Sequence, residues 1–88
     1  VVSRTAKPGE SSLELAEIHV PSGSPMVGTA LRDTDFRTAR NIIVLAMKSA
    51  EGEVAYNPSS DHIIEANGTL ICVGYVDQLD QLAKDVKK

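Results

Sequence analysis

Two stretches, Ile42-Ile43-Val44-Leu45-Ala46-Met47 and Thr69-Leu70-Ile71-Cys72-Val73-Gly74-Tyr75, carry apolar side chains with almost no polar interruption. A strand covered on one face alternates apolar and polar residues, whereas a strand covered on both faces does not. Both stretches are therefore expected as central strands buried on both sides. Leu13 to Val20 is different: Ala16, Ile18 and Val20 share one face, and Glu17 and His19 share the other. Leu13 and Leu15 break that phase, and a bulge near Leu15-Ala16 would reconcile the halves. Between the first strand and the first apolar run lies a polar, charged segment. Its breakers Pro21, Gly23 and Pro25 turn the chain, and Ser24 before Pro25 suits an N-cap with proline in the first helical position. A short helix over residues 25–33 would put Val27, Ala30 and Leu31 on one face, with a second helical turn through Phe36, Ala39 and Arg40 capped by Thr34 or Asp35. Asn41 is the expected stop, because Asn tolerates the left-handed conformation.

After the first apolar run, Ala50-Glu51-Gly52 predicts a hairpin turn into Glu53-Val54-Ala55-Tyr56, and Ala66-Asn67-Gly68 predicts a second tight turn. Beyond Asp77 the apolar spacing becomes Leu79, Leu82, Ala83, Val86, which is helical; Asp77 and Asp80 resemble a capping box, and Lys84, Lys87 and Lys88 lie where the helix dipole favours cations. The order strand, short helices, hairpin, strand, helix predicts an α+β two-layer domain with a mixed β-sheet, short helices and a C-terminal helix over residues 13–88. Residues 1–12, with Lys7-Pro8-Gly9-Glu10, are expected to be a linker or frayed terminus, and the absence of an initiator Met suggests a piece of a longer polypeptide.

Composition narrows the functional classes. With 88 residues this is one domain with a thin core. Nine basic against twelve acidic residues give a net charge of -3, which argues against a nucleic-acid partner, since such proteins concentrate Lys and Arg on one face. No apolar run is long enough to span a bilayer. The single Cys72 sits within an apolar run and is expected as a small core residue. Arg37 and Arg40 can bind an anion, or can pair with Asp33 and Asp35 on a solvated turn. Asp33, Asp35, Asp61 and His62 contain divalent-cation ligand types but lack a dense oxygen-rich loop. Neither His19 nor His62 has a nucleophile at readable spacing, the turn serines lack a nucleophile elbow, and no phosphate-cradling glycine loop occurs. An enzyme, and a small hydrolase in particular, is the weakest expectation.

The pieces Pro21-Ser22-Gly23-Ser24-Pro25-Met26-Val27-Gly28-Thr29-Ala30-Leu31, Asp35-Phe36-Arg37, Ile43-Val44-Leu45-Ala46-Met47-Lys48, residues 52–61, Leu70-Ile71-Cys72-Val73-Gly74-Tyr75 and Gln78-Leu79 stand in an order and spacing that resemble the TrkA-C, or RCK-C, domain of potassium channel and transporter subunits. This resemblance covers about Leu13 to Leu82. It implies a cytoplasmic regulatory domain that dimerises, sits beside a nucleotide-binding domain, contacts the membrane only through its parent protein, and passes ligand occupancy to a potassium channel or transporter. It also implies cyclic di-AMP or a divalent cation as ligand. The family's dinucleotide site corresponds here to Leu31, Asp35, Arg37, Ile43, Val44 and Pro58, with Arg37 as phosphate partner and Leu31, Val44 and Pro58 as apolar wall. Three positions depart from the family pattern. Ile43 stands where dinucleotide-binding members typically carry Asn, Asn41 replaces a frequent Gly, and Gly68-Thr69 replaces a frequent Gly-Asp. The alternatives are a purely structural dimerisation module, or the regulatory domain of another cation antiporter or an anion permease.

Overall fold

The computed structural model describes residues 12–88; the expected linker lies, save for Ser12, outside them. Four strands form one sheet: β1 (Leu13–His19), β2 (Ile43–Lys48), β3 (Val54–Tyr56) and β4 (Thr69–Tyr75), in the order β1-β4-β2-β3. Helix α1 (Val76–Asp85) follows β4 directly. The α+β two-layer class is as the sequence predicts, but every pairing in the sheet is antiparallel, so the sheet is not mixed. The reason is strand order. β1 and β2 run in the same direction, yet β4 lies between them, pairs with both, and keeps the two parallel strands from touching.

One face of the sheet builds the core. Ile18 opposes Leu70, and Ala16 and Val44 both oppose Cys72, so these side chains share a face. Onto it pack Leu79 and Leu82 of α1 and Val86 at its C-cap, together with Val20, Phe36, Ile42 and Ile64 from the connections. Buried Leu79, Leu82 and Val86 are the positions that the helical spacing singles out. The helix begins one residue earlier than expected, with Tyr75 at the N-cap in extended conformation and no side-chain cap, so Asp77 is a first-turn acid and not part of a capping box. Cys72 is fully buried, and desolvation pushes its thiol pKa up to about 12, so it is inert at neutral pH.

Burial on both faces is a further expectation that fails. Along β4 burial alternates strictly, Leu70, Cys72 and Gly74 buried while Ile71 and Val73 are half-buried and Tyr75 is exposed. In β2, Ile43 is exposed beside fully buried Ile42. Central position does hold for both strands, but only one face is covered by described elements. The predicted β1 bulge is absent, and β1 pairs with β4 in continuous register from Leu13↔Tyr75 to His19↔Thr69. The irregularity lies in β2 instead, where the register shifts between Val44 and Ala46.

The polar connection between β1 and β2 is less helical than expected. Ser24 does begin a turn, its Oγ accepting from the Met26 N–H at 3.1 Å. Gly28 then takes φ +88°, which ends the turn before a helix can form. With no neighbour within 4 Å of a Cβ placed there, Gly28 serves the dihedral and not a close approach to the sheet. From this point the backbone prefers a long-range partner: Gly28 N–H donates to Ile64 C=O at 2.8 Å, Leu31 N–H to His62 C=O at 3.0 Å and Arg32 N–H to Ser60 C=O at 2.8 Å. Only a 3-10 turn over Leu31–Asp33 remains helical. Asn41 and Asn67 hold positive φ at the predicted stop and tight turn, and Asn57 does so too, immediately before Pro58.

Candidate functional site

The candidate site is built by a loop whose apex is free and whose feet are fixed. Phe36 is the inner anchor, 2% exposed in the core, and its carbonyl accepts from Ile42 N–H at 2.8 Å. Thr34 caps the entry, donating its hydroxyl to Leu31 C=O at 2.7 Å. Asp35 C=O accepts from both Ala39 and Arg40 N–H, closing the turn that holds Arg37 and Thr38 at its apex. The outer anchor is Arg40. Its Nε donates to Asp35 Oδ1 at 2.9 Å and its Nη1 to Asp85 Oδ2 at 2.8 Å, with only 15% of the Arg40 side chain and 13% of the Asp85 side chain exposed.

Asp85 gathers three donors, since Lys88 Nζ and Gln81 Nε2 also reach it at 3.0 Å. The hydrogen bonds from Lys88, Arg40 and Gln81 hold its carboxyl well below the usual carboxylate range. Burial by itself lowers the Arg40 pKa, but the bonds to Asp35 and Asp85 outweigh that and raise it. The loop is thereby tied to the last turn of α1.

Beside this loop lies a groove of about 690 Å³. Five of the six residues singled out from the sequence line it: Leu31, Arg37, Ile43, Val44 and Pro58. Asp35 does not, because its carboxylate is turned to Arg40. In this structure Asp35 shapes the loop through Arg40 and does not line the groove. Sequence reasoning missed Arg32, Thr34, Thr38 and Ser60, which add a second guanidinium and three hydroxyls to the wall. The signal for them was weak, because Ser60 joins through the long-range pairing of residues 28–32 with 60–64, which no local pattern encodes. Arg32 pairs at the rim with exposed Asp61.

No carboxylate lines the groove, while two guanidinium groups and several hydroxyls stand against an apolar floor. Such a wall accepts an anion that carries an apolar or aromatic body. The residues weighed for a divalent cation are dispersed: Asp35 is engaged by Arg40 and Asp61 by Arg32. Among the described residues no three His, Cys, Asp or Glu side chains converge. A second groove, of about 430 Å³, runs between the β2–β3 hairpin and residues 62–65, with Glu53, His62 and Glu65 on its wall and none of the six residues singled out for the dinucleotide.

Comparisons with known proteins agree on the fold. The structure resembles the RCK_C domain dimer of S. agalactiae BusR in complex with c-di-AMP, with a TM-score of 0.75 at 19% identity, covering 83% of this chain and 95% of that one. It also resembles the RCK C domain of the potassium transport protein KtrA in complex with cyclic diadenosine monophosphate, with a TM-score of 0.67 at 23% identity, covering 80% of this chain and 81% of that one. In sequence the chain is 32% identical over 75 residues to the K(+)/H(+) antiporter subunit KhtT of Bacillus subtilis (strain 168), covering 85% of this chain. It spans 46% of the length of that relative. Residues 15–87 match the TrkA-C domain family, and the chain belongs to that family.

Proposed function

We propose that this domain is a ligand-responsive regulatory module of a cytoplasmic potassium-transport component, acting as a homodimer beside a nucleotide-binding domain, and that its groove takes cyclic di-AMP. The observation that carries this reading is the groove itself, where Arg37 faces an apolar floor of Leu31, Val44 and Pro58 with no carboxylate on the wall. Two relatives of this fold are described in complex with that dinucleotide, and KhtT belongs to a potassium–proton antiporter. Regulation needs only differential binding: a ligand held better by one arrangement of two protomers shifts the population towards it. No chemical step is required. Divalent-cation sensing has less support, since no carboxylates gather at the groove.

A second reading, a structural dimerisation module whose groove stays empty, is favoured by Ile43. Its side chain is 54% exposed at the groove and offers no amide to read a base edge. Isothermal titration calorimetry with cyclic di-AMP separates the two. The regulatory reading expects saturable heat with the natural protein and at least about tenfold weaker binding for Arg37→Ala, the loss of one charge-assisted contact. No heat at millimolar dinucleotide overturns it in favour of the structural module.

A further inference from the structure

Arg37 is a charge that the groove offers to a ligand, and it stands on an exposed stretch of chain. Residues 37, 38 and 39 at the apex of the turn are all exposed, and among the described residues the Arg37 side chain forms no ion pair or hydrogen bond. An apex of this kind, left to itself, samples many conformations, and binding then has to order it at a cost in entropy. The main chain restrains the turn at its base, where Ala39 and Arg40 N–H share the single acceptor Asp35 C=O at 3.0 and 3.1 Å. The side chain of Arg40 adds a second restraint. Its Nε reaches Asp35 Oδ1 and closes the turn from its two ends, while its Nη1 reaches Asp85 Oδ2 and fixes the closed turn to α1.

We propose that Arg40 is the positioning residue of the groove: it lines no part of the wall, yet its bridge between Asp35 and Asp85 holds the turn in the arrangement that presents Arg37 to an anion. The inference rests on the ligand-binding reading above and extends it to residues outside the groove wall. Three observations favour it. First, the bridge needs a guanidinium, whose planar fork directs donors to two carboxylates at once; an ammonium is a point charge on a flexible stem. Second, the Arg40 and Asp85 side chains are 15% and 13% exposed, so water and salt screen this pair less than the rim pair of Arg32 and Asp61, which are 54% and 79% exposed. Third, Asp85 stands in the last turn of α1, where a carboxylate opposes the helix dipole. Helix stability alone does not favour an acid there, whereas a partner for Arg40 requires one. Lys88 and Gln81 also bond this carboxylate and keep it charged and in place. The bridge thereby acts on affinity without touching the ligand, because Arg37 meets the anion on a turn with less freedom left to lose.

The test pairs amide hydrogen exchange, which needs no ligand, with calorimetry using cyclic di-AMP. Both are made on the natural protein and on Arg40→Lys, which keeps the charge and removes the fork, each with and without Arg37→Ala. In Arg40→Lys the amides of residues 39 and 40 should exchange at least about tenfold faster, with a smaller change across the central strand β4, and the dinucleotide should bind about three- to tenfold more weakly. On the Arg37→Ala background the same substitution should weaken binding no further, because the turn then has no guanidinium to present. A general loss of structure would weaken both backgrounds alike. Should circular dichroism show Arg40→Lys unfolded, Asp85→Asn, which leaves every residue of the turn in place, takes its part in both measurements with the same expectations. Unchanged exchange at residues 39 and 40, unchanged affinity, or equal losses on the two backgrounds overturns the proposal. No heat from the natural protein overturns the ligand-binding reading instead, and exchange alone then decides whether Arg40 holds the turn.

Discussion

Gly74 shows how closely β4 and β2 are packed on the covered side. A Cβ at this position would lie 2.9 Å from Ile42 Cγ1 and 3.6 Å from Asn41 C=O, and Ile42 is fully buried. The glycine is there for space, not for the change of direction that its place before the last helix suggests. Gly74→Ala should therefore push Ile42 off its position and cost about 1–3 kcal/mol, the range for overpacking a filled core. Urea unfolding measures this as a lower midpoint at unchanged slope; an unaltered midpoint would mean that Ile42 moves aside freely. Among the site residues, Arg37 was assigned through the family resemblance, since its charge alone suited a solvated turn equally well, and it lines the groove. Asp35 stands outside the groove because its carboxylate takes Arg40, a pairing that forms only when the turn closes.

At the scale of elements, the last turn of α1 contains an electrostatic tension. Asp85 is a carboxylate at the end of a helix where the dipole favours cations. Arg40, Lys88 and Gln81 offset it, and the first of these belongs to the loop that carries Arg37. Because its folded-state pKa is depressed, Asp85 contributes stability that is present above its unfolded value, near 4, and is lost as pH falls below it. Asp85→Asn should lower the urea midpoint at pH 7, and the variant and natural curves should converge as pH drops from about 5 towards 2. A constant offset across that range would assign the effect to packing. Helix α1 was legible because its apolar spacing and its burial agree, whereas the predicted helix over residues 25–33 gave way to pairing with residues 60–64, a competitor lying far away in sequence.

For the molecule as a whole, the two-layer arrangement covers one face of the sheet and leaves Ile71 and Val73 half-buried on the other. Association that covers the other face stabilises the folded state by mass action, so the melting temperature should rise with protein concentration. Calorimetric scans from about 5 µM to about 500 µM check this, and the slope should vanish in Ile71→Lys. A melting temperature independent of concentration in the natural protein would show that the sheet is stable with one face in water.

The sequence by itself determined the element types that rest on local pattern: the two central strands, the hairpin, the Asn41 and Asn67 turns and the C-terminal helix all follow from periodicity and from residues that accept positive φ. It also determined that two faces of the sheet are apolar. Tertiary structure decided the strand order, and with it the all-antiparallel sheet, because neighbour choice depends on contacts between residues distant along the chain. It likewise decided which apolar face α1 covers, which two carboxylates Arg40 takes, and that residues from three separate segments meet in one groove, since burial and charge pairing are settled only when those segments are brought together.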